Sequence, residues 1–397
     1  MKVALIHDWL TGMRGGEKCL EVLCDLYPNA DIFTLLHNKG TVSNLIEEKN
    51  IKTSFVQKLP FLKKYRHFLP LFPTAIESFN LNGYDLVISV NHCVAKGVIT
   101  NPETMHICYC LTPMRYVWDM YYSYFDENRP GYIGRKIIPF FANYLRMWDV
   151  TSSRRVEHFV AISHFVAKRI LKYYGRKSEV VYPPVDCSAF KISDNVEEYY
   201  LMVTAFAPYK RVDLAIQAFN RLRLPLIIIG SGQDEKRLKE LSASNVEFLG
   251  WQSDEKVSEY YSKCKALIFP GEEDFGIVPL EAQASGRPVI AYGKGGVCET
   301  IIAANPQNNT RQVSHLEANG RQAEMHDDPE NGRGNATGIF FYEQTVDAIV
   351  DAVKEFEKIA QSFDSQNIRN HALKFDKPIF KERIKNCIDG MYAKSKT

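Results

Sequence analysis

The chain is 397 residues long, 45% hydrophobic and 24% charged, which exceeds the length at which one hydrophobic core stops growing and points to two domains. With 49 Lys and Arg against 47 Asp and Glu, the formal charge of +2 implies no nucleic-acid partner. Nine cysteines, an odd number without paired Cys-x-x-Cys spacing, exclude a disulfide framework and a structural zinc site.

The first apolar stretch ends at His7 and Asp8, too early for the core of a signal peptide, and no run of about 18 apolar residues follows. A cytoplasmic protein is expected. Strands are predicted over 2–7, 30–34, 86–89, 106–110 and 158–162, with helices such as 16–27 and 165–174 between them. Cys108 and Cys110 then read as two small residues on one strand face. After the first strand comes a glycine-rich turn, Thr11-Gly12-Met13-Arg14-Gly15-Gly16-Glu17. Backbone amides at Gly16 can approach a diphosphate or an acceptor there, and a pure turn role is equally open.

Residues 58–72 interleave Lys58, Lys63, Lys64 and Arg66 with Phe61, Leu62, Phe68 and Phe72. Such a segment suits the surface of an anionic membrane, and it equally suits buried aromatics whose lysines reach to water. In Ser89-Val90-Asn91-His92-Cys93-Val94-Ala95-Lys96-Gly97, His92 follows a strand end and so points to where ligands gather. It can donate a hydrogen bond to a hydroxyl or stabilise charge, and a satisfied histidine at a strand terminus is the plain alternative. Downstream, Arg115, Tyr116 and Trp118 could pack against an acceptor, or serve as core aromatics.

Two prolines in Tyr182-Pro183-Pro184-Val185-Asp186 force an extended segment, and 192–195 is polar and turn-forming. The expected organisation is a first domain over 1–190, a second over 191–375, and a C-terminal helix over 376–397 that packs back toward the first. The second domain restarts with strands at 199–204, 225–229, 246–249, 266–269 and 289–291 and helices at 212–222, 234–241 and 254–263. Two α/β, Rossmann-like, doubly wound domains result, with ligands at the carboxyl ends of their parallel strands and the two domains facing across a cleft. Gly230-Ser231-Gly232 lacks the third glycine of a dinucleotide fingerprint, which counts against a dehydrogenase. The polar stretch 305–335 has no apolar periodicity and reads as a surface insertion.

Lys210 and Arg211 follow a strand end and open a helix, where together they would clamp a phosphate. Farther on, Phe269-Pro270-Gly271-Glu272-Glu273-Asp274-Phe275-Gly276-Ile277-Val278-Pro279-Leu280-Glu281 straddles a strand-to-helix turn. Gly276 lets the backbone approach a ligand, and the amides of the helix start, with Phe275, Ile277 and Val278 around them, favour an anion. Glu273 is expected on the loop and Glu281 in the first helical turn. Carboxylates beside an anion site are compatible with it when they bind hydroxyls attached to the anion, as on a sugar nucleotide. A solvated loop with acidic residues capping a helix is the bland alternative.

That motif, with Ala282-Gln283-Ala284-Ser285-Gly286-Arg287-Pro288 after it, resembles the donor-site signature of retaining glycosyltransferases of family four. The 89–97 segment is similar to the family's N-domain active-site segment. Further similar stretches at 111–119, 161–167, 181–186 and 293–300 look like the branch that transfers mannose in bacterial surface polysaccharide assembly. The resemblance implies a GT-B fold and transfer of a hexose, with retention, from a nucleotide diphosphate sugar such as GDP-mannose to a glycan or lipid-linked saccharide. It implies Glu273 and His92 as catalytic residues. It implies Gly16, Lys210, Arg211, Phe275, Gly276, Ile277, Val278 and Glu281 at the donor. No metal and no cofactor are implied, since a helix N-terminus and cationic side chains stabilise a leaving diphosphate, and the chain has no Asp-x-Asp. The family's usual Arg five residues before Lys210 is Ala205 here. A nucleotide-sugar epimerase or phosphorylase, and a non-catalytic nucleotide-sugar-binding protein, remain open.

Overall fold

A computed structural model describes residues 1–125, 132–304 and 335–394. The expected insertion at 305–335 lies, but for its last residue, outside them. The chain divides into two compact units, Met1–Pro184 with Lys377–Thr397, and Val185–Asp376. The division falls after Pro184 rather than at 190/191. Its cause is local, because Val185 N–H already donates to Phe375 O at 3.0 Å within the second unit.

The first unit is built on a seven-stranded parallel sheet. Its strands are β1 (Val3–His7), β2 (Asp31–Thr34), β3 (Ile51–Thr53), β4 (Leu86–Asn91), β5 (Met105–Cys110), β6 (His158–Ala161) and β7 (Ser178–Val180). Their spatial order is β3-β2-β1-β4-β5-β6-β7. Every residue of β1, β4 and β5 is buried, as a parallel sheet covered by helices on both faces requires. In register, Leu5 of β1 lies between Ile32 of β2 and Ile88 of β4. The helix Lys377–Lys394 completes this unit by burying Phe380, Ile384, Ile388 and Met391. Phe380 meets Tyr109 of β5 at 5.6 Å between ring centroids, and Lys377 and Lys381 pair with Glu21 and Asp25 of the Gly15–Leu26 helix at 2.8 and 2.6 Å.

Beneath the sheet's carboxyl end lies a fully buried ion pair. Lys96 Nζ reaches Asp149 Oδ1 at 2.7 Å, Asp149 O at 3.0 Å and Ser152 Oγ at 2.9 Å. Asp149 Oδ2 accepts from the Trp118 indole N–H at 2.8 Å and the Tyr174 hydroxyl at 2.9 Å.

The second unit has a six-stranded parallel sheet: β8 (Tyr200–Val203), β9 (Leu226–Ile229), β10 (Val246–Gly250), β11 (Leu267–Phe269), β12 (Val289–Tyr292) and β13 (Gly338–Phe341), in the order β10-β9-β8-β11-β12-β13. The helices Val212–Leu222 and Val346–Ile359 pack their apolar stripes against it through Phe219, Val353 and Phe356. The glycines of Gly230-Ser231-Gly232 serve packing between loops. A Cβ on Gly230 would collide with the Thr204 carbonyl, and one on Gly232 would stand 2.6 Å from Phe206 O.

The segment 58–72 is partly buried and partly exposed. Tyr65, Phe68 and Leu69 pack against the core of the first unit. Phe61, left-handed at φ 62° and 80% exposed, and Leu71 face outward, and Lys64 and Arg66 are exposed. The Lys63 side chain lies outside what is described. No helix among the described residues is long and apolar enough to cross a membrane.

Candidate functional site

In a doubly wound sheet the crevice for ligands opens at the carboxyl ends of the strands where the order reverses. For the first unit that point lies between β1 and β4. Asp8 follows β1, and His92 follows β4. Asp8 is fully buried. Its Oδ2 accepts the backbone N–H groups of His92 and Cys93 at 2.8 and 2.9 Å, and its Oδ1 those of Val94 and Ala95 at 2.6 and 2.8 Å. His92 Nδ1 stands 3.0 Å from Oδ2. Burial pushes the Asp8 carboxyl up, but the charge and hydrogen bonds of His92 outweigh it and hold the group well below the usual carboxylate range.

A second buried pair adjoins the first. His7 Nε2 is 3.4 Å from Glu17 Oε1, while Glu17 Oε2 accepts the Arg14 N–H at 3.1 Å and so caps the Gly15–Leu26 helix. Burial opposes ionisation of Glu17, yet its contacts with His7 leave the carboxyl below its ordinary value. Gly16 packs closely against the Leu111 and His7 side chains. A Cβ there would stand 2.8 Å from Leu111 Cδ1 and 3.3 Å from His7 Cε1.

The three residues expected at an acceptor have partners inside the unit. Arg115 lies 3.9 Å from Met120 Sδ, and the Tyr116 hydroxyl is 2.6 Å from Cys93 Sγ. Trp118 stacks on Tyr173 at 4.6 Å and spends its N–H on Asp149. The polar ends of Tyr116 and Trp118 therefore turn into the fold, while both side chains keep part of their surface exposed.

In the second unit the order reverses between β8 and β11. The loops after these two strands carry Lys210 and Glu273, which form an ion pair with only 18% and 15% of their side chains exposed. Glu273 is fixed from its backbone as well. Gly296 N–H donates to Glu273 O at 2.8 Å, and a Cβ on Gly295 would collide with that carbonyl. Gly271 brings the loop against Lys210, since a Cβ there would stand 3.1 Å from the Lys210 Cα.

Gly276 takes φ 101°, a left-handed value that favours glycine, and the helix runs Ile277–Ala284 from it. Phe275 is buried and meets Phe375 at 5.9 Å, and Ile277 and Val278 supply the first turn. Glu281 is the fifth helical residue, just past the first turn in which it was expected, because the helix already starts at Ile277. Its Oε2 accepts the hydroxyl of Tyr261 at 3.1 Å. Burial, and then the Glu281 charge, push that phenol well above its ordinary pKa, so Tyr261 is a donor to the carboxylate.

The expected clamp of two cations is altered. Arg211 adopts a left-handed backbone ahead of the Val212–Leu222 helix, and its Nε and a terminal nitrogen lie 3.3 Å from the two carboxylate oxygens of Asp213. Ala205, exposed beyond β8, adds no charge. Asp8, His7, Glu17 and Tyr261 were not singled out from the sequence. A charged residue immediately after a central strand was the available signal for Asp8; Tyr261 sits in an ordinary helical pattern and had none.

Residues 189–372 match the family model of group 1 glycosyl transferases. Among similar proteins, the O-antigen chain mannosyltransferase RfbU of Salmonella typhimurium is 31% identical over 37% of this chain and 45% of its own length. The alpha-1,3/1,6-mannosyltransferase ALG2 of Saccharomyces cerevisiae is 28% identical over 46% of this chain and 47% of its own length. The chain thus spans under half the length of these curated relatives. Among solved structures, Anabaena HepE in complex with UDP superposes with a TM-score of 0.67 at 15% identity, covering 98% of this chain and 100% of that one. WaaG, a glycosyltransferase involved in lipopolysaccharide biosynthesis, gives 0.62 at 14% identity, with 98% and 100% covered. The fold is GT-B, two parallel-sheet α/β units, as the sequence motifs implied.

Proposed function

We propose that the chain is a retaining hexosyltransferase that moves a sugar, most simply mannose from GDP-mannose, to a glycan or lipid-linked saccharide. The observation that carries this reading is the Lys210–Glu273 pair at the reversal point of the second sheet, beside the helix opened by Gly276. An ammonium and outward amides at one point favour a diphosphate, and a carboxylate beside them suits a sugar hydroxyl. In this reading Lys210 and the first-turn amides stabilise the leaving diphosphate, and Glu273 orients the sugar at the reacting carbon. Glu281, steadied by Tyr261, binds ribose hydroxyls. His92 addresses the transferred sugar or the acceptor. The mannosyltransferases among the relatives support the choice of sugar, and a UDP complex among the structural neighbours supports a nucleotide donor.

The test is a thermal-shift screen of nucleoside diphosphates and their sugars, beginning with GDP-mannose, followed by assay of nucleotide release with and without added saccharide. A ligand that binds only the folded protein raises the midpoint. Absence of any shift at millimolar ligand would defeat the proposal. Ala205 and the engagement of Arg211 with Asp213 favour one other reading, a protein that binds donor without transferring it. In that case a shift appears, and saccharide releases no nucleotide.

A lipid-linked acceptor would bring the chain to the inner face of the plasma membrane, and exposed Phe61, Leu71, Lys64 and Arg66 offer a contact with anionic lipid. Vesicles with anionic lipid are expected to sediment the protein and neutral ones to leave it in solution, with salt weakening the effect. Equal sedimentation with both would remove this contact.

A further inference from the structure

The Asp8 carboxylate meets more donors than its role as a turn cap requires. Four backbone N–H groups of residues 92–95 occupy both of its oxygens, and the His92 imidazole adds a fifth contact through Nδ1 at 3.0 Å. A carboxylate has about four lone-pair sites and, once ionised, no proton to give. Any hydrogen between Asp8 and His92 therefore belongs to Nδ1. The ring is also restrained on its faces. The Trp9 indole lies edge-on to it at 4.4 Å, and His7, held beside Glu17, is 6.1 Å away. Nδ1 is buried and makes no hydrogen bond of full geometry, its 3.0 Å approach to Asp8 Oδ2 being a charge contact, although 28% of the side chain is accessible. Nε2 is then the nitrogen available to a ligand.

From this geometry we propose that Asp8 is a positioning residue for His92, which locks the imidazole into the tautomer protonated on Nδ1 and presents Nε2 with its lone pair outward. The proposal deepens the reading of His92 as a sugar-facing group and rests on it for its functional consequence. A neutral His92 so held accepts a hydrogen bond from a hydroxyl at Nε2, and could take its proton; it donates there only when charged. The other tautomer would present a donor instead and would be the wrong partner for a nucleophilic hydroxyl. The Asp8 contact differs from ordinary capping in a checkable way, because its effect on the reaction must pass through His92.

The experiment uses the full chain labelled with nitrogen-15 and long-range nitrogen–proton correlation of the imidazoles, with His92 assigned by its absence in His92→Gln. At a pH where His92 is neutral, wild type is expected to show protonated Nδ1 and unprotonated Nε2. The opposite tautomer in wild type overturns the proposal, whether or not any substituted protein folds. Asp8→Asn should redistribute the tautomers and lower kcat at least tenfold while the donor KM stays within about twofold. In a His92→Gln background, Asp8→Asn should lower kcat by no more than about twofold further. A full additional loss in that background would mean that Asp8 acts only on the fold, and would also overturn the proposal. If no sugar nucleotide is turned over, the functional reading of the site fails, and the wild-type spectrum still decides the tautomer.

Discussion

Lys210→Ala is expected to weaken binding of a nucleoside diphosphate by about 10- to 100-fold, because a charge-assisted contact to a partly desolvated phosphate contributes roughly 1.5–3 kcal/mol. Arg211→Ala should matter less. Its guanidinium is already forked on Asp213, so an anion arriving nearby must compete with that carboxylate. Glu273→Gln should preserve the shape of the loop, which is held through backbone atoms by Gly295 and Gly296, and should lower kcat far more than it raises KM. Glu281→Gln should do the reverse, raising the donor KM. Calorimetric titration decides the first comparison and steady-state kinetics the second. Unchanged nucleotide affinity in folded Lys210→Ala would move the diphosphate elsewhere, and wild-type kcat in Glu273→Gln would reduce that glutamate to a loop carboxylate.

The largest effect on stability is expected at Lys96. Its ammonium is wholly buried against Asp149, and Lys96→Met would leave that carboxylate with an indole and a phenol as donors but no cation. Breaking one side of a buried pair costs about 3–5 kcal/mol. Replacing both members, Lys96→Met with Asp149→Leu, should recover part of the loss, since the desolvation of two charges is removed together. Urea unfolding midpoints measure both. A cost under about 1 kcal/mol for the single change would show that the pair contributes little to the fold.

The fold was legible wherever burial on both sheet faces wrote an unbroken apolar run into the chain. All ten predicted strands are present, and β1, β4 and β5 are the clearest of them. The missed strands β3 and β7 are three-residue edge strands whose residues are partly or fully exposed, so Ile51-Lys52-Thr53 and Ser178-Glu179-Val180 carry no periodic signal. β13 (Gly338–Phe341) is buried, but it follows the polar stretch after 305, which hid its place in the sheet. At the site, Lys210 and Glu273 could be named because each lies in a local motif. Asp8 acts on residues 84 to 87 positions away, and Trp118 is turned inward by Asp149, 31 positions on. Such pairings belong to the topology of the sheet and leave no spacing to read.

The helix Lys377–Lys394 has a consequence for biosynthesis. It supplies core side chains to the first unit, yet it is translated only after the whole of residues 185–376. The second unit is one uninterrupted stretch and has all its strands as soon as that stretch has left the ribosome. The first unit, begun earlier, must wait with Tyr109 lacking its Phe380 neighbour. At about 5–20 residues per second, the roughly 190 residues between hold that surface open for some tens of seconds at the slow end. During that interval the apolar surface that the helix covers stays open, and the unit translated second is the one able to finish first.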